Sequence, residues 1–552
     1  MSWFDERPWL ATAGKSLDTL VPVPETSMLE VLTRTVAAHP ERPALEYFGW
    51  SATWEEFDRL TDAFAAYLQD QGFGRGDRLG IYLQNVPHYA IATFAAWKLG
   101  GVVVPLNPMY KDELVHVFED ASVRALVVSS AAYASRVKPF TAGLDLVVTT
   151  GERDFGTDLP EAVFGSFPEE IATGCPDFRT VLEEYSGRTV EPAVLTADDA
   201  ALIGFTSGTS GRSKGAAVLH RGLSSNAGLV ARNQGLTADM RIFTLAPVFH
   251  ITGFVAQFMA SIASGAGLVM NYRFETGTAL ALFRQYDPQY MAGPATAYMA
   301  LLAHPDFGPE VFAPFISTMS GGAALPQAIV ERFEAKADRY IGQGYGLTET
   351  TAQCAAVPRG LRAPVDPDSG NLSCGLPLET AMIRIRDEDG TELGPNEVGE
   401  ICVSGPMVVK EYIGNPEATA ENIPGGELRT GDVGFMDPEG WLFIVDRKKD
   451  MINASGFKVW PREVEDTLYG IPEVLEAAVV GVPDEYRGES VVAYITLREG
   501  QEITPEAVVA HCRAHLAAYK APHEVRIVDA LPKTASGKIL RREMREAAAA
   551  GR

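Results

Sequence analysis

The stretch "FTSGTSGRSKGA", residues 205–216, packs three glycines, five hydroxyl side chains and one lysine into twelve positions. Small residues let backbone N–H groups close on an anion, so this is the composition of a phosphate cradle. The best-known cradle of this type reads G-x-x-x-x-G-K-[ST]. Counted from Gly208, its second glycine falls on Ser213, and Lys214 is followed by Gly215 instead of Ser or Thr. The loop follows another spacing, and the residues around it must say which.

Upstream of the loop, helical and strand-like patterns alternate. "SMLE" (27–30) and "TWEE" (53–56) read as capping boxes, each opening an amphipathic helix. The turn "QGFGRGD" (71–77) leads into a strand-like run, "RLGIYLQN" (78–85), and Pro87 stands near the start of a further helix. "GGVVVPLN" (100–107) and "RALVVSS" (124–130) read as buried strands. Strands separated by helices predict an α/β fold with parallel or mixed sheets flanked by helices.

Downstream, residues 242–270 carry no Asp, Glu, Lys or Arg, a length that would span a bilayer. Pro247, His250, Gly253 and Gln257 interrupt it, so a buried helix with a flanking loop and strand is expected. The composition changes near residue 446. "DRKKDMINASGFKVWPREVEDTL" (446–468) is charged, then glycine-containing, then helical from Pro461. "EAAVVGV" (476–482), "VVAYITL" (491–497), a helix near 505–517 and a strand near 525 follow. The expected division is a large domain over 1–446, a hinge at 447–450, and a small mobile α+β domain over 451–552. The alanine-rich tail after Glu546 reads as a frayed helix end.

The chain has 552 residues and a formal net charge of −25, which sets it against nucleic-acid backbones. Five scattered cysteines with no CxxC pair, and an N-terminus without a basic, apolar leader, point to a reducing cytoplasm. His511 and His515 are helical neighbours beside Cys512, but no acidic or cysteine partner completes a metal set, so an exposed helix is expected.

Seven segments in order carry a resemblance: "TSGTSGRSKG" (206–215), "PVFHITG" (247–253), "SGGAAL" (320–325), "GYGLTET" (344–350), "TGDVG" (430–434), "DRKKDMINASGFKVWP" (446–461) and "PKTASGKILRR" (532–542). Over nearly its whole length the chain resembles the adenylate-forming superfamily of acyl-CoA synthetases, luciferases and peptide-synthetase adenylation domains. The "DRKKDMI…SGF" run and the N-terminal "PWL" look most like long-chain fatty-acid–CoA ligases. The resemblance implies ATP, Mg²⁺ and CoA as cofactor and co-substrates, and a carboxylic acid as the second substrate.

The implied chemistry has a plain physical logic. A carboxylate is a poor electrophile, and joining it to AMP creates a leaving group. That step needs a triphosphate cradle, a magnesium ligand, a cation near the transition state and an adenosine pocket. The resemblance assigns the cradle to Thr206, Ser207, Gly208, Thr209, Ser210, Gly211 and Lys214. Ser213 stands where the family usually has proline, which predicts a looser loop. Glu349 becomes the Mg²⁺ ligand and Thr348 an α-phosphate contact. Tyr345, with the backbone of Gly321, Gly322, Ala323, Gly344 and Gly346, surrounds adenine. Asp432 accepts from the ribose hydroxyls, and Arg447 is a ribose or phosphate contact.

Lys538 is the implied cation of the bond-making step, and His250 closes against the acyl carboxylate. In the second reaction the small domain turns about Lys449, withdrawing Lys538 and bringing Gly456 and Lys458 to the CoA tunnel. Phe249, Phe254 and Gly321 are candidates to line the acyl pocket, with Ile251, Val255 and Phe258 nearby. The aromatic residues of this run fit a plain helix core equally well.

The expected acid is apolar and of medium or long chain. Two further readings stay open: an acyl-AMP ligase loading a carrier protein, and a CoA ligase for a bulky cyclic, terpenoid or aryl acid. No long insertion precedes the hinge, which favours CoA over a carrier. A nucleotide-binding pseudoenzyme is opposed by the intact Lys214, Glu349, Asp432 and Lys538. The expected partners are small molecules, without nucleic acid or a transmembrane segment; peripheral membrane contact and a homodimer are both compatible with the sequence.

Overall fold

The computed structural model describes residues 2–20, 26–168, 171–206, 213–367, 370–447, 449–454, 457–484, 488–534 and 539–550. Among these, two mostly parallel sheets form the body of the large domain. One has the strand order Leu146–Thr150, Ala125–Ser129, Arg78–Tyr82, Val102–Pro105, Ala200–Phe205 and Gly215–Leu219. Its strands pair parallel except for the last, which turns back antiparallel across the 206–214 loop. The other is nine-stranded, with the parallel run Ile341–Leu347, Ser317–Gly321, Tyr290–Gly293, Arg241–Phe243 and Gly267–Val269 at its centre.

Helix Pro87–Lys98 is buried on all sides, as a helix must be when it lies inside the layers. It packs against helix Trp54–Asp70, and Trp97 meets Phe254 edge-on at 6.2 Å. Its one charged residue, Lys98, is 4% exposed and is bound at 2.7 Å by both Asp58 and Asp62. A buried ammonium is tolerable only when paired in this way.

The charge-free segment is interior, as expected. Strand Arg241–Phe243 is followed by a short helix, Ile251–Gly253, a π-helical stretch, Phe254–Met259, and a final helical turn, Ala260–Ser264. No described helix is long and apolar enough to cross a membrane.

A four-stranded antiparallel sheet, ending in strand Leu442–Arg447, closes the large domain. Beyond it, strands Val474–Asp484 and Gly488–Leu497 pair antiparallel, and Glu524–Ile527 joins parallel to the second. Helices Pro461–Tyr469 and Pro505–His515 cover one face with an apolar core of their own. Cys512 is buried in that core, whereas His515 is exposed and its ring Nδ1 lies 2.9 Å from the His511 carbonyl oxygen.

Two local expectations need correction. At Thr53 both arms of the capping box form, with Glu56 N–H donating to Thr53 Oγ1 and Thr53 N–H to Glu56 Oε2. At Ser27 only one arm forms. Thr26 Oγ1 and Arg34 take the Glu30 carboxylate, so it never returns to the cap. The alanine-rich tail is not frayed within its described part: helix Arg541–Ala550 continues through it. Met544 and Ala548, one helical turn apart, are buried against Val480, Val492 and Tyr494 on the second face of the small sheet.

Candidate active site

Among the described residues, Thr206, Gly321, Gly344, Tyr345 and Gly346 lie at or near the ends of parallel strands of the two sheets, the place where α/β sheets bind ligands. Thr206 follows strand Ala200–Phe205, and its N–H donates to the Lys214 carbonyl at 3.0 Å, tying the ends of the cradle loop together. Ser207, Gly208, Thr209, Ser210 and Gly211 lie outside the described residues.

Gly204, one strand residue before Phe205, allows a close approach. A Cβ there would stand 2.7 Å from Thr348 Cγ2, so the loop's base abuts the "GYGLTET" segment directly. Glu349 is half-buried in that segment, with Tyr412 donating its phenol to Glu349 Oε1 at 2.8 Å. The Lys214 ammonium lies 5.1 Å from the centroid of the same Tyr412 ring. Three stretches remote in sequence thus meet at one tyrosine.

The backbone after Glu349 is strained. Thr351 and Ala352 have φ of 48° and 76°. A β-branched residue with positive φ is an outlier that persists only where its surroundings over-determine it. Here the buried Asn226 amide donates to the carbonyls of Thr351 at 2.6 Å and Gln353 at 3.0 Å, and Thr351 Oγ1 donates to Met407 O at 2.6 Å. Gly346 completes the fit, because a Cβ there would fall 1.7 Å from Ala352 O.

Tyr345 is buried and its phenol donates to Asp432 Oδ2 at 2.7 Å. Arg447 Nε reaches Asp432 Oδ1 at 3.3 Å, across the antiparallel pair that places Asp432 opposite Arg447. The two predicted ribose residues therefore stand as an ion pair. Gly321 and Gly344 are register partners on adjacent strands, and Gly322 follows with φ +84°. Ala323 is exposed.

A cleft of about 410 Å³, part of it open to solvent, runs between Thr252 and Ala256 on one side and Ala292, Gly321 and Gly346 on the other. A smaller one of about 260 Å³ shares Thr252 and Gly321 with it and is lined by His250 and Pro294. The loop before His250 is clamped from two directions. Asn85 Oδ1 accepts the Val248 N–H at 2.8 Å while its amide donates to Asn271, and the buried Gln257 amide donates to Ala246 O at 3.3 Å. His250 caps the short helix, accepting from Thr252 N–H through Nδ1 at 3.4 Å.

Of the two readings open for Phe254, its surroundings are those of a core residue: its ring is 1% exposed and packs edge-on against Tyr89, Trp97 and Phe258. Phe249 is partly buried against the same core. Gly321 lines both of the clefts described above.

At the joint, Lys449 is exposed between two buried aspartates. Asp446 accepts from the backbone N–H groups of Arg447 and Arg462, and Arg462 Nη1 donates to Ile444 O at 2.9 Å. Asp450 binds Arg541 at 3.5 Å and also Arg545, while Arg541 holds Glu465 at 2.7 Å. Burial still raises the Asp446 carboxyl above its usual range, against the pull of Arg541. Lys458 is exposed on strand Phe457–Val459, opposite Asn453. Gly456 and Lys538 lie outside the described residues.

Among the described residues no cluster of three or more His, Cys, Asp or Glu side chains could hold a metal alone. Mg²⁺ rarely asks for one; it takes one or two carboxylates and completes its shell with phosphates and water. Glu349 has one oxygen occupied by Tyr412, and Thr348 adds a hydroxyl beside it. That donor set fits a magnesium–nucleotide. Sequence reading did not single out Tyr412, Asn226 or Asn85; the two positive-φ residues after Glu349 leave no mark in the residue types.

The AMP-binding enzyme model matches residues 32–413, and the AMP-binding enzyme C-terminal domain matches 463–538. A long-chain-fatty-acid–CoA ligase of Bacillus subtilis is 32% identical, covering 98% of both chains. Among solved structures, an anthranilate CoA ligase, AuaEII, in complex with anthranoyl-AMP superposes with a TM-score of 0.85 at 25% identity, covering 96% of this chain and 98% of that one. ATP-bound MatB from Rhodopseudomonas palustris gives 0.83 at 27%, covering 95% and 99%. The chain belongs to the AMP-binding enzyme family.

Proposed function

We propose that this family member is an AMP-forming acyl-CoA ligase that activates an apolar-bodied carboxylic acid as its acyl adenylate, releases pyrophosphate, and passes the acyl group to CoA. The observation that carries the reading is the meeting of Lys214, Glu349 and Tyr412 beside the cradle loop. It assembles a cation for phosphate oxygens and a hard carboxylate for Mg²⁺ from segments far apart in the chain.

In this reading Mg²⁺ supplies charge neutralisation on the phosphates, and Glu349 with Thr348 would hold it. Lys214 steadies the β- and γ-phosphates as pyrophosphate departs. Asp432, oriented by Tyr345 and Arg447, accepts from the ribose hydroxyls. The glycines Gly321, Gly344 and Gly346 line the cleft as bare backbone, which leaves its space to the adenine and the acyl head. His250 closes against the acyl carboxylate in this reading; what supports it is that His250 lines the smaller cleft, on a loop pinned by Asn85 and Gln257.

Lys538 acts by electrostatics, placing positive charge where phosphoryl oxygens gain negative charge. The small domain over 451–552 then turns about 447–450, with Lys449 as pivot, and presents Gly456 and Lys458 to CoA. Support for that division is the separate apolar core of the small domain. A cytoplasmic location is part of the reading; the five cysteines are all free, as a reducing compartment keeps them.

The relatives span fatty and aryl acids, so the acid is open to a direct test. Pyrophosphate release is followed with a panel of fatty, aryl and cyclic acids, with and without CoA. Slow release without CoA that becomes sustained turnover with it supports the ligase. Release that CoA never stimulates points to a carrier-protein acceptor, and no release with any acid removes the enzymatic reading.

A further inference from the structure

We infer that Tyr412 is a positioning residue of the adenylation site: its phenol turns the Glu349 carboxylate so that one oxygen stays free for the nucleotide-bound cation, and its ring seats the Lys214 ammonium. The inference rests on the reading of Glu349 and Lys214 given above and adds a residue to it.

Tyr412 is 5% exposed, yet it is no ordinary core aromatic, because both of its polar neighbours are predicted phosphate-site groups. The glutamate side chain has three rotatable bonds and its carboxylate two equivalent oxygens. Left alone it would sample several orientations. A neutral hydroxyl 2.8 Å from Oε1 fixes one of them without supplying charge. An Arg or Lys in that place would orient the carboxylate too, but would neutralise it and compete with the cation. A phenol avoids that conflict. On the other side of the same residue, the ring presents its negative face to Lys214, which holds the ammonium by a neutral group that does not repel phosphate.

The backbone explains why this geometry is reproducible. Segment 409–413 is stitched to both phosphate elements at once. Val409 N–H donates to Glu349 O at 2.9 Å, Ala217 N–H donates to Glu411 O at 2.9 Å, and Ile413 N–H donates to Gly215 O at 2.8 Å. Tyr412 itself bridges to Ala216, and its N–H donates to Thr419 Oγ1 at 3.0 Å. The tyrosine is therefore in register with the residue after the cradle and with the metal-ligand candidate together. Groups that orient a metal ligand in this way typically change metal affinity about 10–100-fold when removed.

The test uses the full chain, Mn²⁺ as a spectroscopic stand-in for Mg²⁺, and a non-hydrolysable α,β-methylene ATP analogue. Mn²⁺ binding to the analogue complex is measured by electron paramagnetic resonance for wild type, Tyr412→Phe, Tyr412→Leu, Glu349→Gln and the Glu349→Gln/Tyr412→Phe double variant. Tyr412→Phe fills the same space, so its melting temperature is expected near wild type while Mn²⁺ affinity falls about 10–100-fold. Added to Glu349→Gln it changes nothing further, because the two act through one carboxylate. Tyr412→Leu additionally weakens metal-free binding of the analogue, through Lys214. Wild-type Mn²⁺ affinity in a folded Tyr412→Phe, alongside a loss in Glu349→Gln, overturns the positioning role and leaves the ligase reading standing. So does a Phe variant whose melting temperature collapses, since the tyrosine is then structural. Unchanged affinity in Glu349→Gln removes the metal role of Glu349 itself.

Discussion

The phenol of Tyr345 donates to Asp432 at 2.7 Å, joining the end of the central sheet to the four-stranded sheet across 87 residues of chain. Arg447 holds the other carboxylate oxygen, so Asp432 is fixed from two sides. A hydrogen bond to a charged group is worth about 1.5–3 kcal/mol. Tyr345→Phe is therefore expected to raise KM for ATP about tenfold or more with a smaller effect on kcat. Steady-state kinetics at varied ATP check this, and an unchanged KM would separate Asp432 from nucleotide binding.

Lys538→Ala is expected to lose adenylation while still forming thioester from supplied acyl-AMP, because in the proposed reading the lysine serves only the step in which charge builds on the α-phosphate. Near-normal pyrophosphate exchange in the variant would sink the assignment.

Lys449→Pro is expected to impair thioester formation more than adenylation, since proline fixes φ at the position proposed as the pivot. Measuring the two half-reactions separately decides it: equal loss in both counts against a pivot at 449.

Arg541 binds Glu465 and Asp450 and approaches Asp446 at 3.9 Å, and all three acids are at most 10% exposed. Replacing it with Met strands buried carboxylates, at a cost of about 3–5 kcal/mol. Thermal unfolding should show a lowered transition, with faster proteolysis near 447–450. A melting temperature equal to wild type would show that these acids do not depend on the arginine.

His220 is fully buried against Trp97, accepts the Met28 N–H at 3.3 Å, and has its pKa lowered by burial from 6.5 to about 4, with Asp199 opposing. The unfolded chain then binds more protons between pH 4 and 6.5, so stability is full above 6.5 and falls as pH drops through that window. At about 1.4 kcal/mol for each pH unit, the loss comes to about 3 kcal/mol. Chemical denaturation of wild type and His220→Gln between pH 7.5 and 4.5 checks it. The variant should have the flatter profile, and parallel profiles would contradict the assignment.

Much of the fold could be read in the residues because it follows local rules. Short apolar runs placed strands Arg78–Tyr82 and Val102–Pro105, and Pro87 marked the helix that follows the first. The interruptions at Pro247 and Gly253 correctly kept residues 242–270 inside the protein. Phe254 was ambiguous for a physical reason. Residues two apart on a helix fall on nearly opposite sides of its axis. Thr252 and Ala256 share the cleft side while Phe254 and Phe258 share the core side. Hydrophobicity alone does not say which side carries the ligand. Likewise Glu30 satisfied the spacing of a capping box, but Arg34 and Thr26 lay closer to its carboxylate.

The sequence by itself determined the element types, the glycine-lined strand ends and the ordered motifs that place this chain in its family. Those depend on spacing within a few residues. Only the tertiary structure decided that Lys214, Glu349 and Tyr412 share one contact, or that Tyr345 reaches Asp432. Such meetings follow from strand order and register between elements remote in the chain. A one-residue slip would turn each side chain to the opposite face, and no local pattern records which register the packed sheets will adopt.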